Sequence, residues 1–253
     1  YRAARPRQAV PGRMKAPAAP AERPRALLAW DEAAIAWTDA FRARVDPARA
    51  VADVAMVELV RQVPTGPILD AGCGEGWLAR ELAAHRHRVT AFDASPLMLE
   101  LALREGPGTV DYRLLTYDEA AAGPRRMGGV FGTAVFNFSL LEERITPVLS
   151  AVGSVLFPYG RILIQAAHPT SALDDPVGYR DGWRTLEEAA PGVPLPCPVP
   201  WYFRTFTTWV LELRRAGLLL VETYEPLDPA TGRPVSLILS ATIPEKRRQP
   251  AEG

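Results

Sequence analysis

Between residues 66 and 166, apolar runs of about five residues alternate with longer segments in which apolar positions recur every three or four residues. Runs of the first kind read as strands buried on both faces, and segments of the second kind as helices that cover them. The short runs fall at 67–71, 88–92, 110–115, 130–136 and 161–166 and predict five strands. Helices are predicted over 77–84, from Pro96 onward with Ser95 as its cap, and over 140–157. Alternation of this kind predicts a parallel sheet with helices on both faces. Further on, 207–216 predicts a helix stopped by Gly217, and 218–224 and 235–242 predict two last strands. Ahead of the alternation, Trp30, Ile35, Trp37 and Phe41 are spaced as one helix face, with Asp31 placed to cap its start. A second helix is predicted from Pro47, capped by Asp46, with Val51, Val54, Ala55 and Leu59 buried.

The periodicity fails in two places. Residues 1–26 are rich in Pro, Ala and Arg without an apolar period, and predict a disordered tail; 244–253 predict a second, shorter one. Residues 167–204 carry many prolines together with Tyr179, Trp183, Trp201, Tyr202 and Phe203. A loop of that length in a compact domain is functional or disordered, and the aromatic density argues for function. The segment therefore predicts a lid over a substrate pocket, inserted into one domain spanning 27–243.

Composition narrows the partners. The 253 residues hold 29 basic and 29 acidic side chains, for a formal net charge of +0. No global field draws the chain to nucleic acid, so no nucleic-acid partner is expected. There is no apolar run of about 18 residues, so no membrane span is expected, and the N-terminus lacks the apolar core of a secretory signal. The two cysteines, Cys73 and Cys197, form neither a disulfide framework nor a metal-ligand spacing. A reducing, cytoplasmic setting and no metal are expected.

The chemistry is concentrated in Asp70-Ala71-Gly72-Cys73-Gly74-Glu75-Gly76, which follows the first strand of the alternation and opens a helix. Glycine lets a ligand approach the backbone closely, and the helix start supplies free N–H groups. A dinucleotide site asks for G-x-G-x-x-G under a pyrophosphate. Here the spacing is G-x-G-x-G, and Asp70 stands just before it, where a pyrophosphate would be repelled and an ammonium welcomed. Asp93 ends the next strand, 23 positions on, where an acid accepts ribose hydroxyls. A ribose and an amino acid without a phosphate describe S-adenosyl-L-methionine.

These residues resemble the class I S-adenosylmethionine-dependent methyltransferases, in the branch that acts on small molecules. The similarity runs over about 30–243 and is carried by LDAGCGEGWLARELA, VTAFDASPLMLELA, VFNFSLLEE, LFPYGRILIQAAHP and YFRTFTTWVLELRRAGLLLVETYEP. The resemblance implies an α/β, Rossmann-like three-layer sandwich with a seven-stranded, mostly parallel sheet whose last strand is antiparallel. It implies that Asp70, Gly72 and Gly74 contact the methionine part of the cofactor and Asp93 the ribose. Ala94 and Ser95 would lie near the adenosine, Asn137 and Phe138 beside the methyl group, and Arg49 at the cofactor carboxylate. Two departures stand out. Leu115-Thr116-Tyr117 replaces an Asp that bonds adenine in many members, leaving Thr116 or a backbone group for that contact. Gly132 stands where the fourth strand commonly begins with Asp.

Methyl transfer to a small-molecule acceptor through oxygen, nitrogen or carbon requires orientation and a dry site more than a catalytic constellation. His168, directly after the fifth strand on the ligand-binding edge, is the candidate base. Tyr179, Trp183, Trp201 and Tyr202 are candidate substrate walls, and Arg204 a partner for an acceptor carboxylate. A non-catalytic cofactor-binding scaffold is the main alternative. A nucleic-acid methyltransferase is disfavoured because Asn137-Phe138-Ser139-Leu140 lacks the prolines of an Asn-Pro-Pro-aromatic motif, and an NAD oxidoreductase is disfavoured by the glycine spacing.

Overall fold

A computed structural model describes residues 23–244 apart from 64, 65, 107, 109, 175 and 176. The tail expected over 1–26 lies outside the described residues up to 22, and that over 244–253 from 245 on. The elements are, in order, α1 (Arg23–Arg42), α2 (Pro47–Gln62), β1 (Ile68–Ala71), α3 (Trp77–Ala84), β2 (Val89–Asp93), α4 (Pro96–Glu105), β3 (Val110–Leu114), α5 (Tyr117–Ala122), β4 (Phe131–Asn137), α6 (Thr146–Ser154), β5 (Leu156–Ala167), β6 (Gly182–Ala190), β7 (Val193–Phe203), α7 (Phe206–Arg215), β8 (Leu219–Tyr224) and β9 (Ser236–Thr242).

Seven strands form one sheet in the order β3-β2-β1-β4-β5-β9-β8. Strands β3 to β5 pair in parallel, and β9 runs antiparallel between β5 and β8. This is the Rossmann-like sandwich that the alternation and the resemblance implied. The inner strands β1, β2, β4 and β9 are buried on both faces and read as continuous apolar runs, whereas the edge strands β3 and β8 are partly exposed. On one face Leu69, Phe92, Phe136 and Ile164 pack under α5, α6 and α7; on the other Ile68, Ala91, Val135 and Leu163 pack under α2, α3 and α4. Burying a phenylalanine such as Phe92 or Phe136 contributes about 2–3 kcal/mol. The order reverses between β1 and β4, so the crevice at the carboxyl ends of β1, β2 and β4 is where a ligand fits in an open sheet.

Several expectations shift. The first helix begins at Arg23, not at an Asp31 cap; Asp31 lies inside it and accepts a hydrogen bond from the Ser95 hydroxyl. Ile35 is on the outer face of α1, 56% exposed. In α2 Asp46 caps as expected, accepting from the Ala48 N–H at 3.0 Å. Its buried residues, however, are Ala52, Met56, Val57, Leu59 and Val60, while Val54 is 60% exposed. The sequence misplaced that face because valine and alanine line both sides of the helix. The helix expected over 140–157 is shorter, since α6 starts at Thr146 with Pro147 in its first turn and Leu156 already opens β5. An unforeseen short helix, α5, is held by a capping box between Thr116 and Glu119.

The proline-rich segment is not a loop. It contains a turn of 3-10 helix (Pro169–Asp174) and then the two-stranded hairpin β6–β7. Pro194, Pro196, Pro198 and Pro200 fall at every second position of β7, where they remove the N–H donors from one edge and leave the other to pair with β6. Alternating prolines read as a strand breaker but specify a strand that can pair on one side only. Helix α1 packs on this hairpin through Ala33, Trp30 and Trp37 against Leu195, Val199 and Leu186.

Candidate active site

A cavity of about 430 Å³ opens at the carboxyl edge of β1, β2 and β4, roofed by α1 and the β6–β7 hairpin. Its wall at the ends of β1 and β2 is built from backbone. The chain leaves β1 through Gly72 (φ +73°), Gly74 (φ +56°) and Gly76 (φ +78°), in the left-handed region that glycine enters without strain. A Cβ on Gly72 would collide with the Tyr117 hydroxyl and Ser139. The N–H groups of Gly72 and Cys73 both donate to the Phe92 carbonyl, at 2.8 and 3.0 Å. The turn is therefore stitched to the end of β2.

Asp93 holds the same turn from below. One carboxylate oxygen accepts the Gly74 N–H at 2.8 Å and the other the Ser95 N–H at 2.9 Å. Burial raises its pKa, and these N–H groups oppose the rise. Asp93 also lines the cavity, and a carboxylate with these bonds keeps further acceptor capacity. Asp70 does not line the cavity. It is 1% exposed behind the glycine turn, and neither carboxylate oxygen has a hydrogen-bond partner among the described residues. Burial, and then the nearby Asp93 charge, push its pKa up to about 7. A buried carboxyl without a partner is costly, and its position marks a place for a donor.

The floor is the end of β4. Asn137 and Phe138 line it, with the Asn137 Oδ1 buried and unpartnered. Phe138 is held at φ +54°, a strained conformation for a bulky residue, and its ring carries the Arg49 guanidinium at 4.4 Å. Arg49 lies on α2, against Phe41 at 5.2 Å, and its Nε donates to Asp53 at 2.7 Å. Buried Gln165 ties α2 to the sheet by donating to the Ala52 carbonyl at 2.9 Å. Ala94, Ser95 and Thr116 line the cavity, Thr116 as the cap of α5.

The structure does not bring every candidate to this cavity. Among the expected substrate residues Trp183 lines it, but Tyr179, Trp201, Tyr202 and Arg204 do not. The Tyr179 hydroxyl accepts the Phe206 N–H at 3.0 Å, and the Trp201 ring packs edge-on against Phe203. Arg204, 2% exposed, donates to the carbonyls of Leu140 (3.1 Å) and Glu142 and lies over Trp209. Burial lowers its pKa to about 10, against the pull of Glu212. His168 lies outside the cavity too. Its Nδ1 meets the Thr170 hydroxyl at 2.6 Å and its Nε2 meets Glu225 at 2.8 Å. Both ring nitrogens are engaged in fastening the start of the insertion.

Other lining residues escaped the sequence reading. Tyr117 donates toward the Ala71 and Ser139 carbonyls at 3.2 and 3.3 Å, and Ser139 donates to Ala71 at 2.7 Å. Burial pushes the Tyr117 phenol well above its ordinary range. Trp30, Trp37 and Phe41 look like an ordinary buried helix face but line the cavity, Trp30 and Trp37 meeting edge-to-face at 5.2 Å. Their seven- and four-residue spacing was visible, whereas what they faced was not. Among the described residues no cluster of His, Cys, Asp and Glu is arranged for a metal, and no helix is long and apolar enough to cross a membrane.

A glycine turn at the switch point of a seven-stranded sheet with an antiparallel last strand defines the class I methyltransferase fold. The methyltransferase-domain family matches residues 68–160 of this chain. A ubiquinone biosynthesis O-methyltransferase of Methylocella silvestris is 40% identical over 91 residues, 35% of this chain and 32% of the relative. The chain spans about a third to a half of the length of the curated relatives it matches. An S-adenosylmethionine-dependent methyltransferase from Mesorhizobium loti superposes with a TM-score of 0.54 at 24% identity, over 75% of this chain and 97% of that one. The 1,6-didemethyltoxoflavin-N1-methyltransferase of Burkholderia thailandensis, solved with its substrate and S-adenosylhomocysteine, gives 0.60 at 20% identity, over 90% and 92%.

Proposed function

We propose that this protein is an S-adenosyl-L-methionine-dependent methyltransferase acting on a small molecule. The carrying observation is the Asp93 carboxylate at the end of β2, locked to the glycine turn, in a cavity whose lining acids disfavour a phosphate. The residues present fit the cofactor. Gly72 and Gly74 leave room for its methionine part, and the unpartnered Asp70 behind them offers its charge to the ammonium, directly or through water. Asp93 would accept the ribose hydroxyls, and Ser95, Met98, Leu115 and Thr116, which line the cavity, would border the adenine. Arg49 faces the carboxylate from α2. When bound, the cofactor supplies an electrophilic methyl group on a sulfonium. The protein orients an acceptor over the Asn137–Phe138 floor and excludes water with α1 and the hairpin.

On this reading residues 27–243 work as one domain, with 167–204 as the acceptor-covering insertion, and the free thiols suit the reducing cytoplasm. His168 is not the base. Calorimetry with S-adenosylhomocysteine and with NAD tests the reading: the first should bind with micromolar affinity and the second not at all. Asp93→Ala should weaken the first at least about thirtyfold, since it also frees two backbone N–H groups. Binding of NAD alone would end the proposal.

A further inference from the structure

Among the described residues the one basic side chain that lines the cavity is Arg49, on α2. Three contacts fix its guanidinium. The Phe138 ring lies at 4.4 Å, the Phe41 ring at 5.2 Å, and Nε donates to Asp53, one turn further along α2, at 2.7 Å. The Asp53 bond uses one edge of the guanidinium and leaves both Nη groups without a partner among the described residues. An arginine gives up the freedom of a long side chain when it grips an anion. Contacts that remove this freedom beforehand raise its affinity for the anion. Asp53 lines a second cavity, between α1, α2 and α3, and not the first. It therefore reaches a ligand of the first cavity only through Arg49.

The parts of this clamp come from different segments. Arg49 and Asp53 belong to α2, and Phe138 directly follows β4. Gln165, near the end of β5 and 1% exposed, holds both to a common register. Its main-chain carbonyl accepts the Phe138 N–H at 2.8 Å, where the chain takes its left-handed turn. Its side-chain amide donates to the Ala52 carbonyl at 2.9 Å, in the turn of α2 that carries Arg49 and Asp53. The same Nε2 donates to the Ser236 hydroxyl on β9, also at 2.9 Å. Its own Oε1 is buried and has no partner among the described residues. A buried amide with one end unpaired is a poor way to stabilise a core. Stability alone does not account for a glutamine here, whereas the placing of α2 against the end of β4 does.

We propose that Gln165 and Asp53 are positioning residues for the carboxylate of the cofactor, acting through Arg49. The inference rests on the methyltransferase reading above. Arg49 presents its two Nη groups to the carboxylate as a parallel pair of hydrogen bonds. Asp53 fixes the rotation of the guanidinium and Phe138 its plane. Gln165 fixes the distance between the helix that carries the arginine and the floor of the cavity. A ligand that lacks the carboxylate gains nothing from this arrangement.

The test compares, by calorimetry on the full chain, S-adenosylhomocysteine and the same thioether without its carboxylate, 5′-(3-aminopropyl)thioadenosine. The wild-type protein should bind the first at least about tenfold more tightly. Arg49→Gln should bring the two within about threefold, and Gln165→Met should do the same while leaving the decarboxylated ligand within about twofold of wild type. Asp53→Asn, which keeps an acceptor without its charge, should fall between. Gln165→Asn, which keeps the amide but is too short to reach Ala52, carries the same expectation if the methionine variant does not fold. An equal loss of both ligands in the Gln165 variant is what a merely structural residue gives, and overturns the proposal. So does a wild-type protein that binds both ligands alike, or an unchanged ratio in Arg49→Gln, Asp53→Asn or the Gln165 variant. Failure of both ligands to bind the wild-type protein is a different result, and refutes the cofactor reading beneath the proposal.

Discussion

The two halves of the cavity are built by opposite means. The cofactor half is made of main chain: three left-handed glycines, two N–H groups on the Phe92 carbonyl, and an aspartate that grips the turn. Its parts lie within 25 residues of one another. The acceptor half is made of side chains from α1, the loop after β4 and the hairpin, gathered across more than 150 positions. A backbone cradle tolerates little change but depends on few partners. A wall of side chains retargets easily, and depends on everything that holds it.

The largest effect should come from pH acting on the cofactor half. Burial raises the Asp70 carboxyl from its ordinary 3.8 to about 7. The folded protein then binds more protons than the unfolded chain between those values, so stability is full below pH 4 and is lost as pH rises toward 7. The loss is on the order of 4 kcal/mol, and Asp70→Asn should flatten it in urea titrations of the cofactor-free protein. If the cofactor ammonium meets the ionised Asp70, affinity for S-adenosylhomocysteine should rise over the same interval.

Next in size is Arg204→Met, which leaves the Leu140 and Glu142 carbonyls unpaired. It should cost about 3 kcal/mol in urea unfolding while affinity for S-adenosylhomocysteine stays within about threefold. A parallel loss of cofactor binding would show that the halves are not separable. Gly72→Ala should do the reverse, costing about 2 kcal/mol from the left-handed backbone and displacing Tyr117 and Ser139. Its main readout is at least about a hundredfold loss of cofactor affinity by calorimetry. The smallest effect belongs to His168→Ala. It should cost about 1 kcal/mol through the Thr170 and Glu225 contacts and leave methyl transfer, read by radiolabelled methyl uptake, within about twofold.

What the sequence showed follows the same division. The Asp70–Gly76 turn, the Asp93 terminus and the caps at Asp46 and Ser95 were legible because each is a local device, complete within one or two adjacent elements. Even the faces of α1 and α2 were less secure, since Ile35 and Val54 are apolar yet exposed. Periodicity says that a face is apolar, not which neighbour covers it.

His168 and Arg204 were drawn to the site by residue type and by their place near the right strand ends. Each was instead claimed by partners that no local pattern reveals, Glu225 lying 57 positions from His168 and Leu140 lying 64 from Arg204. The sequence by itself determined the strand order's raw material, the glycine cradle and the acid that grips it, because backbone conformation is set by neighbours along the chain. Only the tertiary structure decided which aromatics face the cavity, that the prolines make a one-sided strand, and which charges remain free to meet a ligand. Those are matters of burial and of competing hydrogen bonds, and they are settled only when distant segments arrive.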